Sequence, residues 1–359
     1  MVKNPHYRRT GSDRADGAIC RLARSRWYRT AGRPSSAGAL GQRFRRLRLL
    51  VVGAGDIGGR VIAMLAQRFA GRIALIATTR STEQRGKLRQ HGARTLALDL
   101  DQPRSAQRVG AFGCWLINLT PPLASGDDDP RSKHLIAALA RGAARQLAVG
   151  AFIQTRIYAS TTGVYGDSAG AQFDETRATN PQSDRAARRL AAETRWRQAS
   201  CTTARARTRT SPSASARTVI IRVPGIYGSD RLPLERLQRG LPVLLPELDV
   251  YTNHIHADDL ARIVWLALFR GRSNRIYHAV DNSDLKMGDY FDAVADAVGL
   301  ARPPRLDRDQ LKRQVSPAMW SFMQESRRLL NHRLRQELRI GLRYPTVADA
   351  LECGAHVPV

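Results

Sequence analysis

Leu47-Arg48-Leu49-Leu50-Val51-Val52-Gly53-Ala54-Gly55-Asp56-Ile57-Gly58 decides the fold. A short apolar run meets a G-x-G-x-x-G turn and passes directly into a helical pattern over Gly58–Phe69. Each glycine has a task. Gly53 permits the tight turn, Gly55 lets backbone approach a pyrophosphate, and Gly58 lets helix and strand pack closely. The first turn of the helix, Asp56 and Ile57 included, presents free N–H groups and a positive dipole end to phosphate. In this strand–loop–helix setting the motif reads as a dinucleotide site; outside it, the same glycines would be only a flexible turn.

Downstream the signals alternate. Strand-like runs occupy Ile73–Ala77, Thr95–Leu98, Cys114–Leu119, Arg156–Ser160, Val219–Val223 and Ile276–Val280. Helical stretches fall at Arg131–Ala144, Ala186–Arg197 and Asp258–Phe269. Strands separated by crossover helices imply an α/β fold with a Rossmann-type, doubly wound parallel sheet. Residues 47–223 would form this domain, interrupted by a low-complexity surface insertion at 201–217. Residues 224–359 would be a mixed C-terminal region. Its pieces near 224–250 and 284–350 form a smaller substrate lobe, and 251–283 return a strand and helix to the sheet. The basic stretch SFMQESRRLLNHRLRQEL, Ser321–Leu338, reads as a core-facing helix with a solvated face.

The chain has 359 residues and a net charge of +27, which raises nucleic acid as a partner. The charge is uneven. Residues 1–46 carry +10 and residues 200–217 carry +4, leaving +13 for the rest. Residues 1–46 lack periodic apolar positions and read as a disordered basic extension, so nucleic acid is disfavoured. Four scattered cysteines suggest neither a disulfide framework nor a zinc site, and suit a reducing, cytoplasmic setting. No apolar run is long enough for a membrane span.

Cofactor preference is read after the second strand, at Ala77-Thr78-Thr79-Arg80-Ser81. An NAD site usually places Asp or Glu there to accept from the ribose. Here Thr79 and Arg80 stand instead, and Arg80 could pair with a 2′-phosphate, so NADP is expected and NAD is the alternative. Asp99 and Leu100 follow the third strand, where an adenine contact is expected; the other reading of Asp99 is a carboxylate capping the next helix. Leu119, Thr120 and Pro121 end the fourth strand, where backbone would pass the cofactor's ribose.

The segment Tyr158-Ala159-Ser160-Thr161-Thr162-Gly163-Val164-Tyr165-Gly166-Asp167 resembles the strand-five signature of extended short-chain dehydrogenases/reductases of the NAD-dependent epimerase/dehydratase type. Arg222-Val223-Pro224-Gly225-Ile226-Tyr227-Gly228 resembles that family's R-x-x-x-x-Y-G segment. Asn253-His254-Ile255-His256-Ala257-Asp258-Asp259 resembles its H-V-x-D segment, and Tyr344-Pro345-Thr346 its closing P-T. The resemblance implies cofactor contacts at Ser160, Pro224 and Gly225, and a substrate-binding hydroxyl at Thr161. The family's Y-x-x-x-K pair maps onto Arg185 and Arg189, counting from Pro181. A guanidinium cannot serve as a base, so the chain is an atypical member on this reading. Arg189 could still donate to the nicotinamide ribose.

Tyr165 is the expected substitute acid/base, its pKa lowered by Arg185 and Arg189, unless it is a structural tyrosine of the loop. Asp167 and Asp184 read as a turn residue and a helix-start residue. His254 and His256 share a side of one strand, but no third ligand falls into place and no metal is expected.

Three functions follow. The first is an NAD(P)-dependent oxidoreductase or epimerase for a polar, nucleotide-linked or anionic carbonyl substrate. The second is a catalytically weak NADP(H) sensor, and the third is nucleic-acid binding through the tail. The expected partners are a small molecule and, as an option, a second copy of the chain.

Overall fold

The computed structural model describes residues 47–69, 71–109, 115–126, 128–146, 155–205 and 216–354. The residues 1–46 expected to be disordered lie outside it. Seven strands form the central sheet: β1 Leu47–Val52, β2 Ile73–Thr78, β3 Arg94–Leu96, β4 Trp115–Asn118, β5 Thr155–Thr161, β6 Arg217–Val223 and β7 Arg275–His278. Their order is β7-β6-β5-β4-β1-β2-β3, and every adjacent pair is parallel. A parallel strand can return only through a crossover, and helices supply most of these. They are α1 Asp56–Phe69, α2 Thr82–Gln90, α3 Pro130–Gln146, α4 Asp184–Arg205 and α5 Ala257–Arg270. The α/β, doubly wound expectation therefore holds.

The helices explain why the strands read as unbroken apolar runs: both sheet faces are covered. On one face Leu50, Leu116, Tyr158 and Ile220 pack against Leu135 and Leu139 of α3 and Trp196 of α4. Trp196 is fully buried, stacks on Tyr158, and satisfies its indole N–H on Ser132 Oγ at 2.9 Å. On the other, Trp115 meets Trp265 and Phe269 of α5 edge to face.

Strand order reverses between β1 and β4, which opens a crevice at their carboxyl ends. The register gives this edge a step. Val52 pairs Asn118 and Asn118 pairs Tyr158, where β4 ends, while β5 and β6 continue paired to Thr161 and Val223. Three residues of each strand, about 10 Å at the usual rise, overhang the crevice as a ledge.

Beyond β6 a second core gathers Tyr227, Leu237, Val243, Leu244, Leu311, Met323 and Val347 around Phe291 and Val294 of α6, Met287–Val298. Two sequence expectations need correction. The 201–217 insertion is shorter than expected: α4 runs to Arg205 and β6 starts at Arg217, and residues 206–215 are outside the described set.

Ser321–Leu338 is not one helix. A helix ends at Met323, Arg328–Leu329 pair in parallel with Gln172–Phe173, and a short helix occupies His332–Gln336. The backbone there is recruited by a neighbouring loop. Ser326 N–H donates to Asp167 Oδ1 at 2.7 Å, while Ser326 C=O accepts from Ser168 N–H and Gly170 N–H.

Candidate functional site

At the crevice the glycine loop has the shape its spacing implies. Gly53 has φ +74°, and a Cβ there would stand 2.8 Å from Thr120 Oγ1 and 2.9 Å from Thr120 N. A Cβ at Gly58 would press on Val51 Cγ1 and Ala54 Cβ at 3.2 Å. A Cβ at Gly55 would meet nothing within 4 Å, so the loop faces open space at the start of α1. Gly59 N–H bonds Gly55 C=O at 2.8 Å, which leaves the N–H groups of Asp56, Ile57 and Gly58 without intrahelical acceptors. Such a cradle could hold a pyrophosphate. The Asp56 carboxylate turns aside, to Arg60 Nε at 2.9 Å and Arg231 Nη1 at 2.6 Å.

The turn after β2 leans on the glycine loop. Ser81 caps α2 by accepting from Gln84 N–H, and Gln84 Nε2 donates to Gly55 C=O at 3.1 Å. Thr79 Oγ1 accepts from Ser81 N–H, and Arg80 is largely exposed. The only acid near Arg80 among the described residues is Asp101, at 3.9 Å, and Asp101 is engaged at 2.6 and 2.7 Å by Arg131. Arg85, which sequence reasoning missed, lies one turn into α2 with its Nε buried and unpartnered. Its position four residues after the Ser81 cap was the available signal. Asp99 accepts from Asp101 N–H and so holds a turn, while Leu100 is buried and its carbonyl lies 2.7 Å from His134 Nδ1.

The ledge itself is tied together by Arg189. Its Nη1 donates to Ala159 C=O at 2.8 Å, Thr120 C=O at 3.1 Å and Tyr158 OH at 3.2 Å. Leu119 N–H bonds Val52 C=O, and Arg131 donates to Pro121 C=O. Three buried polar atoms on this ledge have no partner: Thr120 Oγ1, Ser160 Oγ and Arg189 Nε. Thr161 Oγ1 accepts from Gly163 N–H at 3.2 Å, which leaves its own hydrogen available to donate. Pro224 and the exposed Gly225 follow β6, with Gly225 N–H on Asn253 C=O.

Tyr165 is not placed for proton transfer. It is 1% exposed, and its hydroxyl lies 2.6 Å from His278 Nε2. His278 Nδ1 lies 2.9 Å from Leu330 C=O and must carry the hydrogen there, so Nε2 accepts from the phenol. Arg222, rather than Arg185 or Arg189, lies over the Tyr165 ring at 4.6 Å. Burial outweighs it and pushes the phenol up to about 12, opposite to the expected lowering. Arg222 is itself committed to a buried bidentate pair with Glu193, at 2.7 and 3.1 Å. Arg185 stands exposed at the start of α4, its guanidinium 5.5 Å from the Phe322 ring centroid. Asp167 bridges two loops, and Asp184 opens α4. His254 and His256 both face Tyr227, and His256 Nδ1 caps α5 by accepting from Asp258 N–H. Among the described residues no cluster could hold a metal ion, and no helix is long and apolar enough to cross a membrane.

A model of the NAD dependent epimerase/dehydratase family matches residues 49–279. Among solved structures, a functionally unknown conserved protein from Silicibacter pomeroyi is 28% identical, with 85% of this chain and 97% of that chain covered at a TM-score of 0.66. UDP-glucose 4-epimerase from Thermotoga maritima, solved with UDP-glucose, is 15% identical over 86% and 97%, at 0.65. A dTDP-glucose 4,6-dehydratase from Bacillus anthracis, solved with NAD, is 13% identical over 86% and 95%, at 0.63. The last two likenesses show the fold. No curated protein matches the sequence.

Proposed function

Because this chain belongs to the NAD dependent epimerase/dehydratase family, we propose that it is an NADP(H)-dependent oxidoreductase or epimerase acting on a polar carbonyl or sugar substrate. The observation that carries the reading is the open space over Gly55 at the switch point, beside the N–H groups of Asp56, Ile57 and Gly58 that have no intrahelical acceptors. Arg80 and Arg85 would hold a 2′-phosphate, and among the described residues the neighbouring carboxylates Glu83 and Asp101 are already paired with Lys87 and Arg131.

The dinucleotide, when bound, supplies or accepts a hydride at its nicotinamide ring. Thr161 donates its free hydrogen to the substrate oxygen and fixes its orientation. A threonine hydroxyl is no general base, and Tyr165 is sealed in the core, so the oxygen exchanges its proton with water. Turnover should therefore be slow.

Calorimetric titration of NADPH and NADH tests the cofactor assignment. NADPH should bind more tightly, and Arg80→Ala should narrow the gap by about 1–3 kcal/mol. Equal affinities would end the NADP assignment. Loss of NADPH absorbance over a panel of carbonyl compounds and nucleotide sugars tests turnover, and Thr161→Val should lower it.

A second reading, a sensor that binds the cofactor without turning it over, draws on the burial of Tyr165 and on Arg185 at the usual tyrosine position. Tight NADPH binding with no turnover across the panel selects it.

A further inference from the structure

Arg185, Arg188 and Arg189 project from the first turns of α4. Elsewhere in the fold several guanidiniums meet carboxylates: Arg222 meets Glu193, Arg262 meets Asp259, and Arg327 meets Glu325. This trio meets none among the described residues. Arg188 spends itself on the carbonyls of Ala124 and Gly126, and Arg189 on those of Thr120 and Ala159. Those bonds fix two of the three side chains and stiffen the loop after β4 beside the ledge. They leave two full positive charges without a counterion. Arg188 Nε and Arg189 Nε are also buried without partners.

Arg185 differs from both. It is exposed and, among the described residues, has no hydrogen bond or ion pair and only the face of Phe322, itself 44% exposed, beside it. Desolvation, and after it repulsion by Arg189 and Arg188, pushes its pKa down. The first turn of α4 rests against the Thr161 cap: a Cβ at Gly163 would lie 3.6 Å from Thr161 Oγ1 and 3.9 Å from Ala186 Cβ. A guanidinium fork with no polar partner among the described residues therefore rises from the turn of α4 that packs against the Thr161-capped turn, in a field of one sign, next to an open aromatic face.

We infer that Arg185 is a specificity-determining residue that binds a carboxylate carried by the substrate close to its reacting carbon. One free fork offers two parallel N–H donors, which match the two oxygens of a carboxylate. Arg188 and Arg189 are tied to backbone and cannot swing in to wrap a phosphate. Phe322 covers the apolar side of the bound group. The location rests on the oxidoreductase reading above; the carboxylate itself does not, because it binds the chain and not the cofactor.

The test is calorimetric titration of the full chain, with and without saturating NADPH, at constant ionic strength. The probes are glucuronate, glucose and inorganic phosphate. Glucuronate should bind well above glucose, and Arg185→Gln should weaken it by about 10- to 100-fold. Arg185→Lys should recover only part, since an ammonium cannot bind both oxygens in the same way. NADPH affinity and melting temperature should stay unchanged in both variants. Arg239→Gln removes an exposed charge paired only with Glu235, and should leave glucuronate binding intact.

Equal binding of glucuronate and glucose overturns the inference, as does indifference to Arg185→Gln. Phosphate binding more tightly than glucuronate overturns the carboxylate assignment. A parallel loss of NADPH affinity in Arg185→Gln would move Arg185 into the cofactor site and overturn it too. If NADPH fails to bind the unmodified chain, the cofactor reading falls, while the titration without cofactor still decides the carboxylate.

Discussion

Tyr165→Phe removes one hydroxyl from a closed pair with His278. The acceptor left behind is buried, so the cost should be about 1–2 kcal/mol of folding stability, read from urea unfolding. Any turnover should stay within about twofold, because the hydroxyl never reaches the crevice. A large loss of activity with stability intact would return Tyr165 to the chemistry. The sequence could place Tyr165 near the carboxyl end of β5 but not choose its direction. The turn Thr162–Tyr165 points the ring inward against Phe173 and His278, and the hydroxyl's partner His278 is distant in the chain.

Buried titrating groups also set the acid limit of the fold. Burial holds His278 near 3 and His254 near 4, so both are neutral when folded but charge near 6.5 once unfolded. Between those values the unfolded chain binds more protons, and stability falls as pH drops below about 6.5. Asp281 opposes them. Burial pushes it up to about 7, so it keeps its proton in the fold, and the stability this contributes is lost as pH rises from about 4 to 7. Asp281→Asn removes the opposing slope. Its melting temperature should therefore climb more steeply between pH 4.5 and 6.5 than that of the unmodified chain.

Among elements, β1, the glycine loop and α1 were the most legible, because their signal is local: an apolar run, three spaced glycines, a helical period. The glycines should separate by function. Gly55→Val places a side chain in open space, so the fold should survive while NADPH binding is abolished. Gly53→Val forces a side chain onto Thr120 at a left-handed backbone angle, and melting temperature should fall with binding. If both variants fold alike, the open space over Gly55 has been misjudged.

The 321–338 segment failed for the opposite reason. Its helical period is real, but hydrogen bonds from residues 166–173 capture its backbone, and nothing in its own composition announces them. The α4–β6 contact was equally hidden. Arg222 was legible as a motif residue, yet its partner Glu193 lies on a helix 29 residues earlier. Glu193→Ala leaves that guanidinium buried and uncompensated, and should cost about 3–5 kcal/mol by urea unfolding. Replacing both residues with apolar ones of similar volume should restore much of the loss.

Across the molecule, the two cores meet over a charged seam. Arg60 of α1 donates to Asp56, to Asp258 at the start of α5 and to Asp230 in the loop after β6, and Arg231 of that loop reaches back to Asp56. Family resemblance and the parallel, doubly wound sheet were readable from the order of motifs and elements along the chain. This seam was not, because its five charges come from three separate segments and each looks like an ordinary solvated residue alone.

Asp56 opens the helix at the proposed phosphate cradle, and part of the balance of its carboxylate comes from the loop carrying Arg231. Dinucleotide affinity and the posture of that loop then become two readings of one equilibrium, each obliged to change when the other does. Arg231→Ala should weaken NADPH binding about fivefold, although Arg231 need touch no part of the cofactor. Asp56→Asn in the same chain should return most of it, since the liability being balanced is gone. A substrate that draws the loop outward would loosen its own coenzyme, and one that draws it inward would lock the coenzyme in place. Order of release would then be written into a salt bridge rather than into the pocket.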